Sequence, residues 1–249
     1  MARGLTISVL AALAVAGVAM AAVPANITAA LGDIKRPPAD SSRDVARKPA
    51  ELLALAEVKP GQKVADFMMG SGYFTRILSP AVGPNGKVYA YQAAEFIQFR
   101  AAYATEQSTV VADYKNVVPL KGPLSDVGLP DGLDLVLTVQ NYHDLHLKFA
   151  KADTADGVNK AIFKALKPGG LYVIVDHAAA PGAPLTVADT QHRIDEAIVK
   201  QEVESAGFKL VTEDDKLLGN PADPHDKLVF DPSIRGHTDQ FILKFRKPK

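Results

Sequence analysis

Apolar and polar positions follow two different periods along this chain. Residues 64–69, 133–139 and 171–175 are almost unbroken runs of Val, Ile, Leu, Ala, Met and aromatic residues. Short runs of this kind, bounded by turn residues, are the pattern of strands covered on both faces, as in a parallel sheet. Residues 87–91 alternate and are rich in Val and Tyr, and residues 117–120 and 207–211 give shorter strand signals. Residues 238–246 alternate as well, and are expected to form an antiparallel strand at the sheet edge. Between the strands, apolar residues recur at helical spacing. Helices are predicted over 50–57, over 73–78 with an end near Pro80, over 96–106, over 154–166 and over 189–206. In the third, Phe96, Phe99, Ala102 and Tyr103 face the core; in the fourth, Val158, Ile162 and Leu166 do. Strands alternating with helices predict an α/β fold around a mostly parallel seven-stranded sheet.

The ends of the pattern differ from its middle. Arg3 precedes an uncharged apolar run over 5–20, and Ala19-Met20-Ala21 has the small-x-small form. This is the layout of a secretory signal peptide cleaved after Ala21. It predicts a periplasmic or secreted protein with no stable membrane anchor after cleavage. Residues 22–48 read as an extended, Pro- and Ala-rich lead-in followed by a short helical lid, and residues 49–249 as the main domain. In the lid, Arg43 and Arg47 are candidates to reach a carboxylate. Residues 219–236 carry three prolines and read as a long irregular loop.

Composition narrows the partners. Lys plus Arg and Asp plus Glu both number 28 in 249 residues, so no excess of positive charge points to nucleic acid. A small-molecule substrate is the expectation. There is no cysteine, which excludes disulfides, thiolate nucleophiles and Cys-based zinc sites.

Candidate chemistry concentrates where strands end. Val64 to Met69 runs into Gly70-Ser71-Gly72 and then into a helix. The glycines permit a left-handed backbone and close approach of a ligand, at a helix N-terminus whose free N–H groups favour an anionic group. Residues 133–139 run into Gln140-Asn141-Tyr142-His143-Asp144-Leu145-His146. Tyr142, His143 and Asp144 offer an aromatic wall, a near-neutral base and a carboxylate. The strand ending at Asp176-His177 faces the same edge. His143, Asp144, His146 and His177 match no closed metal-binding motif, and no metal is assigned to them. Arg193 reads as a residue on a surface helix.

Asp66, Gly70, Gly72 and Thr75 resemble motif I of the class I S-adenosylmethionine-dependent methyltransferases, with Met68 standing where that family usually has its first glycine. The run 140–146 resembles motif IV, and Leu166-Lys167-Pro168-Gly169-Gly170 with the following strand resembles the family's post-helix segment. Arg47-Lys48-Pro49, residues 70–76, Tyr142-His143-Asp144, Asp176-His177 and Thr238-Asp239 are similar to a family of predicted exported bacterial methyltransferases. The resemblance implies a Rossmann-like three-layer sandwich with S-adenosylmethionine held by Asp66, Gly70, Ser71, Gly72 and Tyr73. It implies methyl transfer beside Tyr142, His143 and Asp144. The acidic residue that usually holds the ribose is replaced by Tyr91-Gln92, so Gln92 or Glu95 is expected there. Leu124 stands where an Asp often meets the adenine amine, which leaves Ser125 or Asp126. These departures keep open a binding protein that retained the fold without activity. A metal-dependent hydrolase on the same scaffold is a further alternative.

Overall fold

The apolar runs become the centre of one seven-stranded sheet in the computed structural model, which describes residues 22–249. The signal-peptide reading of residues 1–21 lies outside the described residues. In chain order the elements are α1 (Ala25–Leu31), α2 (Pro38–Ser41), α3 (Asp44–Arg47), α4 (Pro49–Leu55), β1 (Lys63–Phe67) and α5 (Tyr73–Val82). They continue with β2 (Lys87–Ala93), α6 (Ala94–Phe99), α7 (Ala102–Asp113), β3 (Val117–Gly122), β4 (Leu133–Val139) and α8 (Thr154–Ala165). The chain closes with β5 (Leu166–His177), α9 (Thr186–Gln191), α10 (Glu196–Ser205), β6 (Lys209–Asp214) and β7 (Gln240–Arg246). The strand order is β3-β2-β1-β4-β5-β7-β6, with β1 to β5 parallel and β7 antiparallel to both neighbours.

Two apolar layers sandwich the sheet. Alternate strand residues such as Val64, Val88 and Leu137 pack with α1, α4 and α5 on one face. Ala65, Val136 and Ile174 pack with α8 and α10 on the other. The sheet is buried on both faces, as unbroken apolar runs require. The chain reverses direction across the sheet between β1 and β4, so their carboxyl ends flank the crevice where open α/β sheets hold ligands.

Several boundaries depart from the sequence reading. The lead-in is not extended: α1 forms and buries Ile27 and Ala30 against the core. Their i, i+3 spacing supplies one apolar face. Helix α5 continues past Pro80 to Val82 and stops at Gly83, which adopts φ 69°. The region 96–106 splits at Arg100 into α6 and α7, and Phe99 is 89% exposed rather than in the core. The long helix over 189–206 is two helices broken at His192, whose φ of 55° is left-handed. Strand β7 lies between β5 and β6, not at the edge, and β6 is the edge strand. No helix among the described residues is long and apolar enough to cross a membrane.

Candidate functional site

Two adjoining clefts occupy the carboxyl edge of β1 and β4. The first is lined by Arg43, Arg47, Asp66, Gly70, Tyr73 and Asn141, among others. Its floor is the glycine turn: Gly70 and Gly72 have φ of 55° and 86°, which L-residues seldom adopt. A Cβ on Gly72 would lie 2.6 Å from Val110, whereas one on Gly70 would meet nothing closer than 4.0 Å. Gly72 therefore serves packing, and Gly70 leaves room beside the cleft. Met68 also has positive φ, 59°. That conformation accounts for glycine being usual at this position, and its cost of about 1–3 kcal/mol is typical of functional sites.

Asp66 is buried, and Thr75 donates its hydroxyl to it at 2.5 Å. Burial raises its pKa to about 6, against the opposing pull of Thr75 and Arg47. The lid is fastened over this turn. Asp40 accepts from Arg43 at 2.7 Å and from Arg76 at 3.0 Å. Asp44 accepts from Arg36 at 2.6 Å and from the Tyr73 hydroxyl at 2.6 Å. Arg47 lies over the rings of Tyr73 and Phe74, 4.6 and 5.2 Å from their centres, and has no carboxylate partner among the described residues. Its Nε is buried and unbonded. Burial and the neighbouring Arg43 lower its pKa to about 10.

Of the other residues expected around a cofactor, Gln92, Glu95 and Asp126 do not line this cleft. Gln92 is buried and accepts the Gly70 N–H at 3.0 Å, so its carbonyl closes the turn. The Glu95 carboxylate accepts the Leu124 N–H at 3.0 Å. Asp126 is exposed beside Ser125 in a separate depression. Ser71 lines the cleft, and its carbonyl accepts from Arg76.

The second cleft, of about 490 Å³, shares Gln140 and Asn141 with the first. Gln140 is again left-handed, with φ 62°. One wall is apolar: Phe96, Phe99, Tyr103, Phe149 and Phe230. The other wall carries His143, Asp144, His177 and His192. The one-turn helix His143–His146 divides its residues between the cavity and the layer beneath it. His143 and Asp144 face the cavity, whereas Tyr142 and His146 turn into the layer below. Tyr142 is therefore not a wall of the site. It is fully buried, donates to Glu202 at 2.8 Å and accepts from Asn159 at 2.8 Å. His146 also bonds Glu202, at 3.1 Å.

His143 is held by Asp176 through its backbone N–H at 2.7 Å and its Nδ1 at 2.8 Å. Burial disfavours the charged imidazolium, but Asp176 and Asp144 outweigh it and hold the pKa at about 9. Burial acts on Asp176 in the opposite sense to His143, and the His143 charge wins, keeping the carboxyl below its ordinary range. Burial pushes Asp144 up. His177 bonds Thr238 at 2.7 Å, and burial keeps it neutral with a pKa of about 3.

His192 enters the site from the break between α9 and α10, a contribution that sequence reasoning missed. Its neighbour Arg193 is not on a surface helix but fully buried, donating to the carbonyls of Lys227 and Ala178 and to Asp223.

No family model matches the chain. It is 32% identical over 123 residues to the protein-L-isoaspartate O-methyltransferase of Aeropyrum pernix, covering 49% of this chain and 42% of that protein. It is 26% identical over 192 residues to the ubiquinone/menaquinone biosynthesis C-methyltransferase of Ectopseudomonas mendocina, covering 77% and 65%. The chain spans about half the length of the curated relatives it matches, from 42% to 65%. Among solved structures, an S-adenosylmethionine-dependent methyltransferase from Aquifex aeolicus is similar with TM-score 0.59 and 21% identity, over 88% of this chain and 97% of that one.

Proposed function

We infer, for a chain that has the fold of the class I S-adenosylmethionine-dependent methyltransferase superfamily, that it transfers a methyl group from this cofactor to a small, largely apolar molecule. The observation that carries the reading is the pair of clefts meeting at Gln140 and Asn141, one floored by the glycine turn and the other walled by aromatic rings.

The residues present fit the amino-acid end of the cofactor. Arg47, charged and without a carboxylate, stands over a turn with open space at Gly70, and would hold a carboxylate there. The ribose end fits less well, because Gln92 and Glu95 are already bonded to the backbone. The cofactor, when bound, supplies a methyl group on a sulfonium centre. The chain's own part is alignment and charge. The aromatic wall seats the acceptor, excludes water and fixes its approach, which is the larger share of what such a displacement needs. His143, positively charged at neutral pH and braced by Asp176, suits an acceptor oxygen that is acidic and reacts as its anion. The signal-peptide pattern over 1–21 supports work outside the cytoplasm.

A second reading, binding without turnover, is favoured by the occupied Gln92 and Glu95. Calorimetric titration with S-adenosylmethionine and S-adenosylhomocysteine tests both. Micromolar binding of either supports the cofactor site, and methyl transfer to a phenol or carboxylic acid panel then separates enzyme from binder. A folded protein that binds neither compound sinks the methyltransferase reading.

A further inference from the structure

Three donor atoms converge on the polar wall of the aromatic cavity: His143 Nε2, His192 Nδ1 and Asp144 Oδ1. They are separated by 3.1 Å between the two nitrogens, 3.3 Å from His143 to Asp144 and 3.9 Å from His192 to Asp144. The point equidistant from the corners of that triangle lies about 2.0 Å from each, which is the bond length of zinc to imidazole nitrogen and carboxylate oxygen.

Each donor is oriented by a partner behind it. The His143 Nδ1 lies 2.8 Å from the buried Asp176 carboxylate, which keeps a proton on Nδ1 and turns Nε2 into the triangle. There an ion would displace the second proton, which the imidazolium otherwise shares with His192 Nδ1 3.1 Å away. Asp176 is in turn fixed by the backbone N–H groups of His143 and His177. Asn141 donates to Asp144 Oδ2 at 2.9 Å and leaves Oδ1 to face the histidines. His192 is held in its left-handed conformation by the buried Arg193 next to it, which ties the break to Ala178, Lys227 and Asp223. Backbone strain maintained in this way belongs to sites that need a side chain in one place. All three donors also line the cavity. Three protein ligands with an open side toward a substrate cavity are the arrangement of catalytic rather than structural zinc.

We propose that His143, Asp144 and His192 bind one divalent transition-metal ion of the zinc class, with its remaining position open to an oxygen donor in the aromatic cavity. The ion would polarise an acceptor hydroxyl or carbonyl placed there. The site depends on this chain's own side chains and stands apart from whether S-adenosylmethionine binds next door.

The test is metal binding by the purified protein after chelator treatment. Zinc is titrated calorimetrically, and cobalt is added in parallel to read four- or five-coordinate absorption in the visible. One equivalent bound at micromolar affinity or tighter is expected, with a zinc-dependent rise in melting temperature. His192→Ala and the nearly isosteric Asp144→Asn should each weaken binding at least ~10-fold, whereas His146→Ala, which bonds Glu202 on the far side, should not. A folded protein that binds no stoichiometric metal overturns the proposal and leaves His143 and His192 as a hydrogen-bonded pair. Binding that is unchanged in both His192→Ala and Asp144→Asn overturns it too, by placing the ion elsewhere.

Discussion

Asp176 grips His143 at two points, its Oδ2 accepting the backbone N–H at 2.7 Å and its Oδ1 lying 2.8 Å from the ring Nδ1. Both groups are buried. Removing one partner of such a pair leaves an uncompensated charge, so Asp176→Ala should destabilise the fold by about 3–5 kcal/mol in urea denaturation. Asp176→Asn keeps an oxygen for the backbone N–H and should cost less. The pH dependence has a defined sign. The His143 pKa stands above its ordinary 6.5, at about 9. Its contribution is fully present below pH 6.5 and is lost as the pH rises through about 9. Metal-stripped protein should lose stability over that window, and Asp176→Asn should flatten the loss.

Arg47 offers a separable test of the cofactor cleft. Its guanidinium has no ion pair among the described residues, so Arg47→Met gives up stacking on Tyr73 and Phe74 and little else. Affinity for S-adenosylhomocysteine should fall about 10- to 100-fold, the worth of a charged hydrogen bond, while the melting temperature stays close to wild type. Equal affinity for both proteins would remove Arg47 from the site.

The two glycines should divide fold from ligand. Gly72→Ala drives a Cβ to 2.6 Å from Val110 at φ 86°, so it should destabilise strongly, by at least about 2 kcal/mol. Gly70→Ala meets nothing within 4.0 Å and should cost only the left-handed penalty of about 1 kcal/mol. If the cleft is the cofactor site, Gly70→Ala loses affinity in calorimetry while its denaturation midpoint moves little.

Asp66 works against the fold at neutral pH. Its pKa is about 6 when folded, above the ordinary carboxylate value of 3.8, because burial disfavours its charge. The native state therefore binds more protons than the unfolded state between pH 4 and 6, and stability falls as the pH rises across that range. Asp66→Asn, which keeps an acceptor for Thr75, should melt higher than wild type at pH 7 and lose that advantage below about pH 4.

Tyr142→Phe should affect the fold and spare the chemistry. It removes the hydroxyl that joins Asn159 to Glu202, leaving a buried amide without its partner, at about 1–3 kcal/mol. Methyl transfer measured below the melting transition should be unchanged, because the ring lies beneath the cavity wall.

What the sequence made legible was whatever depended on local pattern. The unbroken apolar run Leu133–Val139 was read with the bounds the strand has, and the glycine turn falls at the end of β1 as expected. Features set by tertiary context were not legible. Nothing local distinguishes a continuous helix over 189–206 from two helices kinked at His192; the kink exists because Arg193 is drawn into the interior by Asp223, 30 residues further on. Tyr142 and His143 are adjacent in sequence, and only the register of the short helix decides which of them faces the cavity. Gln92 reads as a ribose ligand until its bond to Gly70 is seen.

The placement of β7 between β5 and β6 has a consequence for how the chain is made. An edge strand added last could dock onto a finished sheet, but here β6 has no neighbour to pair with until Gln240–Arg246 arrives. During N-to-C synthesis the exposed side of β5 stays open while some sixty further residues emerge, a template for association with other chains. His192 and Arg193 lie in that same late segment. The polar wall thus lacks His192 until late in synthesis, and a chain halted before residue 240 would carry the glycine turn and the edge strand yet lack the strand that joins that edge to the sheet.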